Sequence, residues 1–173
     1  PPLRNPFAFG NAWFVDQVEI VENADAEIAA LNTLNPLVKA VVDKRFADQL
    51  KGFTPALDST ATIQLESYRP NRLVYKTEAK RDQLAVFSEI YYDPGWNVTI
   101  DGKPATHFRA DWILRSMIIP AGAHEVVFEF KPQGYITASY VASFSSFAIL
   151  LLLIAAIIFS VGKVFRQPKA HQE

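Results

Sequence analysis

The chain has 173 residues, half of them hydrophobic, with 17 basic and 18 acidic residues and a formal net charge of −1. This length allows one domain with a real core, or one domain with an appendage. The balanced charge offers no basic field for nucleic acid, and the lack of cysteine excludes disulfides and cysteine-based metal sites.

The first 55 residues predict a small mixed α/β segment. Residues 12–21, AWFVDQVEIV, have strand composition, and Asn23 or Asp25 can then cap a short helix. Residues 39–44, KAVVDK, predict another short strand, and one or two helical turns follow before Gly52. The stretch KGFTPALDST is the expected linker to the next domain.

Residues 56–133 predict an antiparallel β-sandwich with a jelly-roll-like arrangement. From Ala61 onward, apolar residues alternate with polar ones, which is typical of half-buried strands. Short strands separated by turns, with no helix between them, favour an antiparallel sandwich over a parallel sheet. Six strands are predicted in ATIQLES, RLVYKTEA, QLAVFSEIYY, WNVTID, WILRSMIIP and HEVVFEFKP.

Residues 136–162 predict one transmembrane helix. This run of 27 residues contains no Asp, Glu, Lys or Arg. At about 1.5 Å per residue it is roughly 40 Å long, which exceeds a hydrocarbon core of about 30 Å. A buried core helix is the alternative, but so long an uncharged run favours a membrane span. Tyr135 and Tyr140 lie at its leading end, where aromatic rings favour the headgroup layer.

The flanking charges predict the orientation of this helix. Lys163, Arg166 and Lys169 follow it closely, whereas the leading side has only Lys131 in a comparable window. Positive flanks stay on the cytoplasmic side, so residues 163–173 are expected to form a basic cytoplasmic tail. Residues 1–135, with a net charge of about −3, are then expected on the external side of the membrane.

The chain begins with PPLRNPFAFG, which contains no initiator Met, basic n-region or apolar h-region. A membrane-anchored external domain needs an export signal, and this start supplies none. We therefore expect the sequence to be the C-terminal part of a longer protein.

Few residues have the spacing of a reaction centre. There is no Gly-x-Ser-x-Gly elbow, no phosphate-cradling glycine loop and no calcium-loop pattern, so no cofactor or metal is expected. His124 follows a Pro-Ala-Gly turn and is expected to cap or edge a strand, and His107 is expected to be exposed. Glu89, Asp93 and Asp101 offer an acid pair for glycoside hydrolysis. Turn roles for the two aspartates are favoured, because Pro-Gly follows Asp93 and Gly follows Asp101.

Five residues are candidates for sugar binding. Aromatic side chains can stack on a sugar ring, or they can simply fill the sandwich. Alternation in WNVTID favours core packing for the tryptophan, and the arginine lies in an apolar strand, where it needs a partner such as an acid across the sheet. The candidates are Tyr91, Tyr92, Trp96, Trp112 and Arg115.

Three stretches resemble the C-terminal region of YfhO-like bacterial membrane proteins, in the forms found in Bacteroidetes-type bacteria. They are GNAWFV, AVVDKRF and LAVFSEIYYDPGWNVTIDGKPATHFRADWILRSMIIPAGAHEVVFEFKP. The pattern is an aromatic-rich strand, Pro-Gly-Trp, a strand, Asp-Gly-Lys, a strand, Pro-Ala-Gly-x-His, a strand and a membrane helix. The resemblance covers nearly the whole chain.

This resemblance implies a polytopic protein of the GT-C glycosyltransferase superfamily, which takes sugars from lipid-linked donors outside the membrane. The superfamily's catalytic acid lies in an early external loop that this sequence does not contain, so no catalytic residue is assigned. The leading expectation is a non-catalytic accessory domain with the last membrane span. Its expected partners are the membrane, the rest of the parent protein, and envelope glycan or lipid-linked sugar. The alternative is a carbohydrate-binding or scaffold module without glycosyltransferase activity.

Overall fold

The computed structural model describes residues 8–165. The predicted α/β segment contains β1 Ala12–Val15, β2 Gln17–Val21, α1 Ala24–Ala30, a 3₁₀ turn Leu31–Thr33, β3 Lys39–Asp43 and a 3₁₀ helix Lys44–Leu50. The next strands are β4 Thr62–Arg69, β5 Arg72–Ala79, β6 Gln83–Ile90, β7 Trp96–Ile100 and β8 Lys103–Ala105. The last elements are β9 Phe108–Ala110, β10 Leu114–Ile119, β11 Gly122–Phe130 and α2 Gln133–Phe165.

Two antiparallel sheets form a sandwich, which confirms the predicted fold class. One sheet has the order β1-β6-β10-β9, and the other has the order β4-β5-β11-β7-β8. Their facing sides share one hydrophobic core, because side chains at alternate positions of each strand point to the same face. Tyr75, Phe87 and Phe128 lie at its centre with edge-to-face rings, at centroid distances of 4.9 to 6.2 Å.

The four-stranded sheet is covered on both faces. Its outer face packs against the α/β segment through a second core that includes Val42 of β3, Val86 of β6 and Phe108 of β9. In that segment β2 and β3 pair in parallel, and the Asn23 side chain caps α1 by accepting from the Ala26 amide. Strand β1 pairs with β6, so the first 55 residues also contribute a strand to the sandwich.

The predicted turn at Asp101-Gly102 is a two-residue hairpin between β7 and β8. Ile100 pairs with Lys103, and the two turn residues have φ angles of 50° and 75°. These left-handed values suit a type I′ turn, which matches the twist of the flanking strands. Strands β8 and β9 were not predicted, because three residues each are too few to show an alternating pattern.

The chain divides into two compact units, with the boundary between Lys131 and Pro132. The second unit is helix α2, whose residues Gln133–Gly162 are long and apolar enough to cross a membrane, with none of its most apolar stretch buried. This finding agrees with the predicted membrane span. The basic tail predicted over residues 163–173 lies outside the described residues from position 166 onward, as do residues 1–7.

Candidate functional site

A cleft of about 500 Å³ lies between the 3₁₀ helix Lys44–Leu50 and the β7–β8 edge of the five-stranded sheet. We call it the β7–β8 cleft. The Thr106 hydroxyl donates to the Gln49 side-chain oxygen across it at 3.0 Å. Its lining combines aromatic rings with polar groups: Phe46, Gln49, Tyr91, Asp93, Trp96, Asn97, Val98, Thr99, Pro104, Ala105, Thr106 and His107.

The aromatic rings of the cleft pack against other rings. Tyr91 is partly buried, with ring centroids 5.6 Å from Phe46 and 5.4 Å from His107. Burial raises the pKa of the Tyr91 hydroxyl. Trp96 is also partly buried, 5.3 Å from Phe130. The cleft wall therefore exposes only part of each ring, and hydrogen-bonding groups lie beside them.

Arg115 lies behind Trp96 and is 1% exposed. Its Cζ is 4.4 Å from the Trp96 ring centroid and 4.7 Å from the Phe128 centroid. Nη2 donates to the Ile90 carbonyl at 3.2 Å, whereas Nε and Nη1 have no hydrogen-bond partner among residues 8–162. Arg115 was predicted to pair with an acid, but it contacts the rings of Trp96 and Phe128 and the Ile90 carbonyl instead. Burial lowers the pKa of Arg115, and the charge of Glu89 acts in the opposite direction.

His107 is partly buried, which corrects the prediction that it is exposed. Its Nε2 atom is enclosed without a hydrogen-bond partner in the described part of the chain. Burial, together with the nearby Arg115 charge, lowers its pKa to about 4. The ring is therefore neutral at pH 7. This burial could not be predicted from the sequence, because the strands on either side of His107 have three residues each and show no alternation of polar and apolar residues.

Protonating His107 is expected to destabilise the fold. The unfolded state binds a proton near pH 6.5 and the folded state near pH 4, so the free energy of unfolding should fall as the pH drops through this window. We expect a loss of roughly 1–2 kcal/mol, since partial exposure screens the charge. Urea unfolding at pH 7 and pH 4.5 should show a smaller loss for His107→Gln than for the wild type.

Comparing the pH-dependent loss of stability in the wild type and in His107→Gln separates the effect of His107 from that of other titrating groups. His124 has a raised pKa and Asp111 has a pKa raised to about 6, so both contribute more stability as the pH falls. These groups are present in both proteins. An identical pH dependence in wild type and His107→Gln would show that His107 titrates normally.

Tyr92 and Trp112 do not line the cleft. Tyr92 is 53% exposed, and Trp112 is partly buried with the Arg109 guanidinium 5.5 Å from its ring centroid. Of the five sugar-binding candidates, the structure therefore brings Tyr91 and Trp96 together, with Arg115 enclosed behind them.

Asp101 is committed to a structural role. Its carboxylate contacts His124 Nδ1 at 2.6 Å and accepts from the Glu125 amide at 2.9 Å. These bonds lower the pKa of Asp101, and the pairing raises the pKa of His124. His124 thus fastens the β7–β8 hairpin to β11, in keeping with the expected edge role.

A buried charged cluster was not predicted. Glu27 of α1 is 0% exposed; its carboxylate accepts from the Arg109 guanidinium and from the Trp112 amide. Arg109 also lies 3.6 Å from Asp43, and the Asp111 carboxylate accepts from the Val41 amide at 2.7 Å. Burial raises the pKa of Asp111 to about 6. We call these four residues the Glu27 cluster: Glu27, Asp43, Arg109 and Asp111.

The Glu27 cluster joins the α/β segment to the turn between β9 and β10. Its members are far apart in sequence and have no motif spacing, so no sequence signal pointed to them. No group of three or more His, Asp or Glu side chains that could hold a metal occurs within residues 8–162.

A folded mainly β unit followed directly by an uncharged helix long enough to span a bilayer is the organisation expected of a membrane-anchored protein. A family model described as bacterial membrane protein YfhO matches residues 47–142, and the chain belongs to this family. Comparison with curated proteins and with solved structures gives no match.

Proposed function

We propose that this chain is the external accessory domain and one membrane span of a GT-C-like glycosyltransferase that modifies cell-envelope glycan. In this proposal the domain binds glycan but does not catalyse transfer. The observation that carries the proposal is the β7–β8 cleft, where Tyr91 and Trp96 lie beside hydrogen-bonding side chains of Gln49 and Asn97. Mixed aromatic and polar walls suit sugars, which have both apolar ring faces and hydroxyl groups.

The state of the acids supports a non-catalytic role. Asp101 is held by two hydrogen bonds within its hairpin, and its pKa is lowered, which does not suit a general acid. The carboxyl group with a raised pKa, Asp111, lies in the Glu27 cluster and is 6% exposed. It is thus closed to a substrate, and we assign the chemistry to another part of the parent protein.

The charge pattern supports the orientation. Three basic residues, at positions 163, 166 and 169, follow the apolar span Gln133–Gly162, whereas the seven residues before it include only Lys131. By the positive-inside rule, we place the sandwich outside the cytoplasmic membrane and the tail inside. The cleft then faces the compartment that contains lipid-linked sugars and envelope polymers.

Asn97→Ala is expected to weaken glycan binding. Asn97 is exposed on the cleft wall, and its amide can bond a sugar hydroxyl. Losing one such bond should cost about 1 kcal/mol, roughly a fivefold rise in Kd. Tryptophan fluorescence of the full chain in detergent, titrated with envelope glycan fragments, measures this change because Trp96 lines the same cleft.

Gln64→Ala is the matched control. Gln64 is an exposed amide on β4 that lies outside the β7–β8 cleft. This variant should bind glycan like the wild type. Equal Kd values for all three proteins would exclude the β7–β8 cleft as the binding site.

Measuring sugar transfer by the parent protein distinguishes an accessory domain of a glycosyltransferase from a binding module without that activity. If the domain serves a glycosyltransferase, Asn97→Ala in the parent protein should slow transfer to the envelope polymer. Glycan binding by a parent protein that transfers no sugar would instead favour a binding module without glycosyltransferase activity. Normal transfer after deletion of the domain would exclude the acceptor-holding role.

A further inference from the structure

Backbone hydrogen bonds hold three loops close together at one end of the sandwich. The Lys131 amide donates to the Gly95 carbonyl at 2.6 Å, and the Phe130 amide donates to the Asn71 carbonyl at 2.9 Å. The Tyr91 amide donates to the Ile113 carbonyl at 2.7 Å. The β4–β5 turn, the β6–β7 loop and the β9–β10 loop therefore lie together around the point where the chain leaves β11.

Large apolar side chains are exposed around this end. The exposed fractions are 62% for Tyr68, 68% for Ile90, 53% for Tyr92 and 47% for Ile113. We call these four residues the apolar rim. Four exposed apolar side chains at one end of a domain are unfavourable in water, and such groups mark interaction surfaces.

The chain enters the candidate membrane span directly from this end. Only Pro132 separates Lys131 from Gln133, where the span begins. Two Cα–Cα steps of about 3.8 Å limit the separation of these residues to roughly 8 Å. The polar layer on each side of the hydrocarbon core is about 5–8 Å thick. As a helix, Gln133–Gly162 is about 45 Å long, close to the roughly 40–45 Å of a bilayer with its headgroup layers, so Lys131 and the loops bonded to it lie near the headgroup surface.

Two arginines near the rim suit lipid phosphates. Arg69 and Arg72 face each other across the β4–β5 hairpin, and neither has an ion-pair partner among residues 8–162. Arginine binds phosphate well, and tyrosine favours the headgroup layer with its hydroxyl toward water.

We propose that the apolar rim docks into the headgroup and acyl boundary of the bilayer, with Arg69 and Arg72 on lipid phosphates. The site is a membrane-binding surface of the sandwich itself, additional to the helix. It holds the β6–β7 loop, which also lines the β7–β8 cleft, beside the membrane surface.

The lack of cysteine makes this proposal directly testable. The full chain is reconstituted into phosphatidylcholine and phosphatidylglycerol vesicles, with an environment-sensitive fluorophore on Ile113→Cys or on Ala123→Cys. Ala123 is exposed near the opposite end, where Gly122 pairs with Ala79. We expect a blue-shifted emission and several-fold stronger quenching by shallow spin-labelled lipids at position 113 than at position 123. Equal quenching at the two positions would overturn the proposal.

A second comparison tests whether the rim side chains insert into the bilayer or only lie near it because the helix anchors the domain. With the fluorophore at position 113, Ile90→Ser should reduce lipid quenching several-fold, because the rim loses an inserted side chain. Leu57→Ser, which changes a residue that is 70% exposed outside the rim, should leave quenching unchanged. Tyr92→Ser provides an independent repeat of the rim change. Quenching unaffected by both rim variants would show proximity without docking and overturn the proposal.

Discussion

Glu27→Ala is expected to destabilise the protein by about 3–5 kcal/mol. The substitution removes a fully buried carboxylate and leaves the Arg109 guanidinium and the Trp112 amide without their main acceptor. An uncompensated charge in a buried site costs more than the ion pair contributes, because desolvation is no longer offset. Urea unfolding of the full chain in detergent at pH 7 measures the loss.

Glu22→Ala is the control for this prediction. Glu22 pairs with Lys44 at 2.8 Å, but both side chains are well exposed, at 77% and 62%. Water and salt screen such a pair, so its loss should change the unfolding curve little. If Glu27→Ala and Glu22→Ala shifted the midpoint equally, the Glu27 cluster would not have the structural role assigned here.

Arg115→Met is expected to leave the stability unchanged or raise it by up to about 4 kcal/mol. Arg115 is enclosed between Trp96 and Phe128 with two guanidinium nitrogens unpartnered within the described residues. Methionine fills a similar volume, keeps contacts with both rings and removes the desolvated charge. The same unfolding measurement tests this expectation.

Two further readouts separate the charge of Arg115 from its volume. Arg115→Ala should be destabilising, because it leaves a cavity between the rings. In Arg115→Met the pKa of His107 should rise, since the Arg115 charge helps to lower it. NMR titration of the His107 ring measures that shift. A large loss of stability in Arg115→Met would instead show that the buried charge stabilises the fold.

Local patterns predicted the sandwich well. The Asp101-Gly102 turn followed from a residue pair that tolerates left-handed backbone, and its observed φ angles agree. The alternation of WNVTID placed Val98 in the core and Trp96 and Ile100 against it, as found. Such features depend on neighbouring residues alone, so the sequence displays them directly.

Features that depend on distant residues escaped prediction. Glu27 and Arg109 meet across 82 positions, and no spacing rule connects them. The place of β1 in the sandwich depends on pairing with β6, which composition does not reveal. Arg115 was expected to meet an acid, but the sheet register placed it between two rings. The β7–β8 cleft likewise forms from three segments that only tertiary packing brings together.

The turn between β9 and β10 depends on contacts with the N-terminal segment. Asp111 and Trp112 have φ angles of 50° and 72°, a backbone conformation that is unfavourable for residues other than glycine. Glu27 and the Val41 amide hold this turn across 85 and 70 positions. Closing loops of this length costs chain entropy, so we expect these contacts to form late in folding. During synthesis, we expect the α/β segment to gain these contacts only after β9 and β10 have been made, because residues 108–119 follow it in the chain.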